Sequence, residues 1–167
     1  MDLPTLVWSP TPGTLEHEPL RFLMDYWQRL RGGEDVPHAT KIDPVEMRPA
    51  LGNVMLLDVL DGGADFRYRL YGSKIAERAG FDMTGKRVSE IGTSTAVATF
   101  FVYVYQAVLK RREPIYTEHR PPASIQVTKW YRLVLPLADA AGMVNRLLVG
   151  NIPGDWRSAQ AGEDPRN

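Results

Sequence analysis

The sequence contains no cysteine. That absence excludes disulfides, thiolate zinc sites, iron–sulfur clusters and a cysteine nucleophile together. Nor is there an excess of either charge, since 20 Lys and Arg face 20 Asp and Glu. Grip on a nucleic-acid backbone needs clustered, uncompensated cations, so no nucleic-acid partner is expected. No apolar run reaches the ~18 residues of a membrane span, and no membrane partner is expected. The opening Met1-Asp2-Leu3-Pro4 lacks a basic region followed by an apolar stretch, so no cleaved secretion signal is expected. Histidine is scarce: His17, His38 and His119 stand on separate segments with no paired spacing, and no metal site is expected. Gly32-Gly33 and Gly62-Gly63 lack the strand-to-helix setting of a phosphate loop. The expectation left is a soluble, cytoplasmic chain of 167 residues, enough for one compact domain.

Pro4, Pro10, Pro12 and Gly13 mark residues 1–14 as a flexible lead-in that docks through Leu6 and Trp8. A single domain is expected over 15–154, and the small polar residues of 155–167 read as a disordered tail. Within the domain, Leu20, Leu23, Met24, Trp27 and Leu30 fall on one stripe of a helix over 19–31 that Gly32-Gly33 ends. Asp43-Pro44-Val45-Glu46 carries a capping-box signal for a second helix of about two turns before Pro49.

A hairpin follows. Residues 54–60 are apolar and branched, 61–65 have turn chemistry, and 66–71 alternate. A loop over 62–65 pairs Asp61 with Phe66, and so Asp58 with Arg69. That register gathers Leu57, Val59, Tyr68 and Leu70 on a core face and sets the Asp58 carboxylate beside a cation on the other. Ser73 is placed to cap a short helix over 74–79, and 80–85 reads as a loop. The clearest helix is 95–112, where Val97, Phe100, Phe101, Val104, Tyr105 and Val108 repeat with helical period. Lys110, Arg111 and Arg112 close it, where the helix dipole favours cations. Strands are expected over 115–120, 125–137 and 144–152, with Val127, Tyr131, Leu133 and Leu135 on the core face of the middle one. Runs of strands broken by one helical insertion argue an α+β fold with an antiparallel sheet.

The segments Tyr68-Arg69-Leu70-Tyr71-Gly72-Ser73, Met83-Thr84-Gly85-Lys86 and Tyr131-Arg132-Leu133-Val134-Leu135-Pro136-Leu137 resemble the stand-alone PAS family of bacteria, known mainly from proteobacteria. Trp27, Leu30-Arg31-Gly32, Pro37 and Asp43-Pro44 resemble its N-terminal pattern, so the resemblance spans about 20–150. It implies a five-stranded antiparallel sheet in the order 2-1-5-4-3, helices on one face, and an N-terminal flanking helix. It further implies a sensory or regulatory module, not an enzyme, that binds a small molecule or a protein partner and signals through dimer or partner contacts. With no cysteine for a flavin adduct and no histidine on the long helix for haem, neither cofactor is expected. From this length, any output domain is expected to lie in another protein.

The candidate ligand-binding residues are Leu57, Tyr68, Leu70, Phe100, Phe101, Tyr105, His119 and Tyr131, where tyrosine hydroxyls in an apolar gap would orient a small molecule. The competing reading is that they fill a solid core. Leu20, Leu23, Met24, Trp27 and Leu30 are the candidate interface of a homodimer, or of a pure dimerisation module. Asp58 in its apolar setting, or Tyr68, would serve a small cone-shaped α+β enzyme as acid or base, although an Asp58–Arg69 ion pair explains the carboxylate more simply. Arg67, Arg69, Trp130 and Arg132 form an outer-face set, read either as an anion site or as the surface under the 20–30 helix.

Overall fold

Leu133, Val134, Leu135 and Leu137 are consecutive or alternate residues of one strand, and all are buried. A strand apolar on both sides needs cover on both sides. The computed structural model, which describes residues 3–91, 95–121 and 127–155, provides that cover from helices on the two faces of one sheet. Six strands build it: β1 (Thr5–Trp8), β2 (Val54–Leu60), β3 (Asp65–Tyr71), β4 (Ile115–His119), β5 (Trp130–Ala138) and β6 (Val144–Pro153). The helices are α1 (Glu18–Arg31), α2 (Ser73–Ala79) and α3 (Thr95–Arg111).

The sheet order is β1-β4-β5-β6-β2-β3, with every neighbouring pair antiparallel. Without β1, the five strands β2 to β6 follow the 2-1-5-4-3 order that the resemblance implies. The sixth strand corrects the count. Thr5–Trp8, within the segment read as a lead-in, pairs with β4, and Trp8 packs on the core under the Arg111 guanidinium at 3.9 Å. Leu6 does not dock and stays exposed. The prolines flank the short strand, where no ladder hydrogen bond is lost.

α1 lays its stripe on one face. Leu20, Leu23, Met24 and Trp27 are buried against Leu133, Leu135, Leu137 and Leu148, and each such apolar side chain contributes ~1.5–3 kcal/mol. A Cβ at Gly150 would stand 2.6 Å from Leu20 and 2.7 Å from Leu23, so the bare backbone there lets α1 approach. The Trp27 indole donates to the Pro136 carbonyl at 2.8 Å, where β5 has run past the end of β4. These contacts correct the interface expectation. The stripe covers its own sheet, Leu30 is half-buried at its end, and little of it is left for a second chain.

α2 and α3 cover the other face with Ile75, Phe101, Val104, Tyr105 and Val108 on Met55, Leu57, Phe66, Val134 and Val149. The N-cap of α2 is Gly72 instead of Ser73, and a Cβ there would collide with the Gly52 carbonyl. The second helix expected from Asp43 is a chain of turns. Asp43 caps the Val45 amide at 2.9 Å, but the bonds that follow are mainly three residues apart, and Pro49 has no N–H to extend them. Residues 156–167 and Ile125 lie outside the described residues.

The hairpin register also differs. Asp58 stands opposite Arg67, not Arg69, and a bulge between Leu56 and Leu57 takes up one of the two residues of offset. Arg69 still reaches Asp58 diagonally, Nε to Oδ1 at 3.0 Å. Beyond the bulge the faces exchange, so Tyr71 joins the α3 side and Leu70 the α1 side.

Candidate functional site

On the α3 side, three strands present register partners in one row. Thr117 of β4 lies opposite Arg132 of β5, which lies opposite Asn151 of β6, and all three are buried. The next row pairs His119 with Trp130. A buried polar row is costly unless its members are satisfied, so their partners define what the site can do.

Arg132 is only 5 % exposed. Its Nη1 donates to the Tyr105 hydroxyl at 3.1 Å, and its Nε approaches Asn151 Oδ1 at 3.5 Å. The guanidinium carbon sits 4.0 Å from the centre of the Phe101 ring, a cation–π contact. α3 places Phe101 and Tyr105 one turn apart on the same stripe, so one helix face supplies both contacts. The Phe101 ring also meets His119 edge-on at 5.2 Å. Among the described residues, no carboxylate lies within ion-pair distance of Arg132.

These groups edge a cavity of about 50 Å³ between the sheet, α3 and the α2–α3 connection. Tyr68, Tyr71, Phe81, Phe101 and Trp130 give it aromatic walls; Met55, Ala79, Met83, Ile91 and Val97 give it aliphatic ones. Its polar groups are Arg132, His119 and Asn151. The Met83-Thr84-Gly85-Lys86 segment reaches it by pairing along the free edge of β3, where Gly85 donates to the Tyr68 carbonyl at 2.7 Å and Lys86 accepts from the Tyr68 amide at 2.9 Å.

Burial governs the electrostatics. It holds the Tyr68 and Tyr71 phenols above their ordinary range, with the Arg132 charge drawing each partly back. Tyr105 is raised in the same way, and Arg132 counteracts by charge and hydrogen bond. Burial, with the Arg132 cation beside it, pulls His119 down to about 3, so the imidazole is neutral near pH 7. Its Nδ1 is buried without a hydrogen-bond partner.

Of the expected binding residues, Tyr68, Phe101 and His119 line the cavity. Tyr105 and Leu57 lie behind it in the core, and Phe100 packs beside Phe101. Leu70 and Tyr131 are corrections: both face α1, Leu70 because of the bulge and Tyr131 because β5 has the opposite parity. Tyr131 instead packs against His17, with ring centres 4.3 Å apart and tilted by 45°. The same parity moves Trp130 and Arg132 from the expected outer face to the cavity, away from Trp27. His38 lies elsewhere, 3.1 Å from Glu34. Asp58, between Arg69 and Arg146 at 3.0 and 3.2 Å, is on the sheet face opposite Tyr68, so the two acid–base candidates do not converge.

No curated protein is similar enough in sequence to match the chain. Among solved structures, an RNA-binding light-oxygen-voltage receptor is similar over 70% of this chain, at 11% identity and a TM-score of 0.48. This chain spans 35% of that receptor's length. The Ile74Val variant of Vivid is similar over 82% of this chain and 93% of its own, at 8% identity and a TM-score of 0.46. The sequence profile of the PAS domain matches residues 15–152, which contain α1, strands β2 to β6 up to Ile152 and the cavity. The chain belongs to the PAS domain family.

Proposed function

We propose that this PAS domain is a non-catalytic sensory or regulatory module of the stand-alone bacterial type, working in the cytoplasm and reading a small molecule held between the sheet and α3. The observation that carries the reading is the aromatic-walled cavity with a few convergent polar groups, the form that small-molecule sites take. A solid core would leave no such space.

Occupancy is passed on through contact with a second copy or with a separate protein. β1 supports that route, because it is the last strand of the sheet and exposes Leu6 and Val7. Open strand edges pair readily with other chains.

Mass spectrometry of the freshly purified chain under native and denaturing conditions tests the proposal. Extra mass that is lost on denaturation is the expected result. A bare chain mass, together with no binding from a small-molecule panel, overturns the ligand-sensing reading and leaves a dimerisation module if a dimer peak is present.

A further inference from the structure

Arginine stays protonated at any pH a protein meets, so Arg132 brings a permanent positive charge into the cavity wall. Its contacts there are all neutral: a phenol oxygen, an amide oxygen and the face of a benzene ring. Its Nη2 makes no hydrogen bond with the described residues. A buried charge without a counter-charge carries an uncompensated desolvation cost, and an anion beside it would offset that cost.

His119 gives an independent pointer. Its Nδ1 is buried, unpartnered and part of a side chain that lines the same cavity. A neutral imidazole offers one donor or one acceptor at that nitrogen, enough to fix a second polar atom.

The class of anion follows from the charge and shape of the site. One guanidinium balances one negative charge, and its planar fork matches the two oxygens of a carboxylate. A phosphate dianion would leave surplus charge among Met55, Phe81, Met83 and Ile91. Those side chains suit an apolar tail, and a cavity of about 50 Å³ limits the tail to a few atoms. Resting on the ligand-sensing reading above, we propose that the ligand is a small monocarboxylate whose carboxylate is received by Arg132 and steadied by His119.

Calorimetric titration of the full chain with propionate against propionamide, and butyrate against butyramide, tests this. Each pair shares a shape and differs in charge. The acid of at least one pair is expected to bind tenfold or more tighter than its amide, and Arg132→Met to remove that preference. Amides that bind as tightly as the acids overturn the carboxylate assignment and leave the ligand-sensing cavity standing. Acid affinity retained in Arg132→Met overturns it as well, as does the absence of binding by both acids. The comparison on the unaltered chain decides the matter even if the variant fails to fold. A bare native mass together with silence from all four probes would overturn the ligand-sensing reading too.

Discussion

Arg132 Nη1 and the Tyr105 hydroxyl meet at 3.1 Å, with both side chains buried. The bond links the middle of the sheet to the middle of α3, and it is the shorter of the two hydrogen bonds that Arg132 makes. Tyr105→Phe removes the acceptor and keeps the ring that packs edge-on against Phe66 at 5.3 Å. The loss leaves a charged donor short of a partner in the interior, so a destabilisation of ~1–3 kcal/mol is expected. Urea unfolding of the two chains measures it. An unchanged midpoint would show that Arg132 draws nothing from the phenol.

Two glycines separate side-chain crowding from backbone collision. At Gly150 an added methyl meets the tips of Leu20 and Leu23, which can rotate, and Gly150→Ala is expected to cost ~1–3 kcal/mol. At Gly72 it meets the Gly52 carbonyl, which can yield only if the backbone moves. Gly72→Ala should therefore be the worse of the two, measured by thermal melting of both variants under one set of conditions. The reverse order would mean that the start of α2 shifts freely.

What the sequence disclosed depended on whether a residue's neighbours differed in polarity. α1 and α3 were legible because their apolar residues keep helical spacing, and the β2–β3 hairpin because Asp61-Gly62-Gly63 interrupts two apolar runs. β5 was misread because its two faces are equally apolar, so alternation carries no information about which side Arg132 takes. A signal was present all the same. The stripe of α1 requires an apolar sheet face, Leu133, Leu135 and Leu137 supply one, and Arg132 is then left to the other side. The bulge that turned Leu70 had no such mark, since Leu70 and Tyr71 suit either face. Of the cavity lining, Tyr68, Phe101 and His119 were legible, whereas the wall from the 80–91 connection was not, because that connection has little apolar period.

Asp58 lies on the face away from the cavity, between Arg69 and Arg146. All three side chains are partly solvated, the aspartate 25 % and the arginines 50 % and 30 % exposed, and ion pairs in that setting contribute ~0–1 kcal/mol. Asp58→Asn is therefore expected to lower stability by no more than about 1 kcal/mol. Any ligand mass retained by the unaltered chain should be retained by the variant. Native mass spectrometry beside a denaturation curve reads both, and loss of the ligand with stability intact would place Asp58 in the binding machinery.

His119 makes the stability of the fold depend on pH in a defined window. Its folded pKa, about 3, lies below the ~6.5 of a free histidine, so the unfolded chain binds the proton more readily. Stability is then complete above pH ~6.5 and declines as the pH falls toward 3, with this group contributing up to ~1.4 kcal/mol per pH unit. Asp35, held low by its bond to Arg112, and Glu118, held low by Lys129, also lose stabilisation on acidification. They do so only as the pH falls through the carboxylate range, below the upper part of the histidine window. Between pH 6.5 and 5 the decline should therefore be smaller in His119→Gln, which cannot take up the proton. Equal slopes for the two chains in that interval would mean that the imidazole is not held neutral by burial beside Arg132.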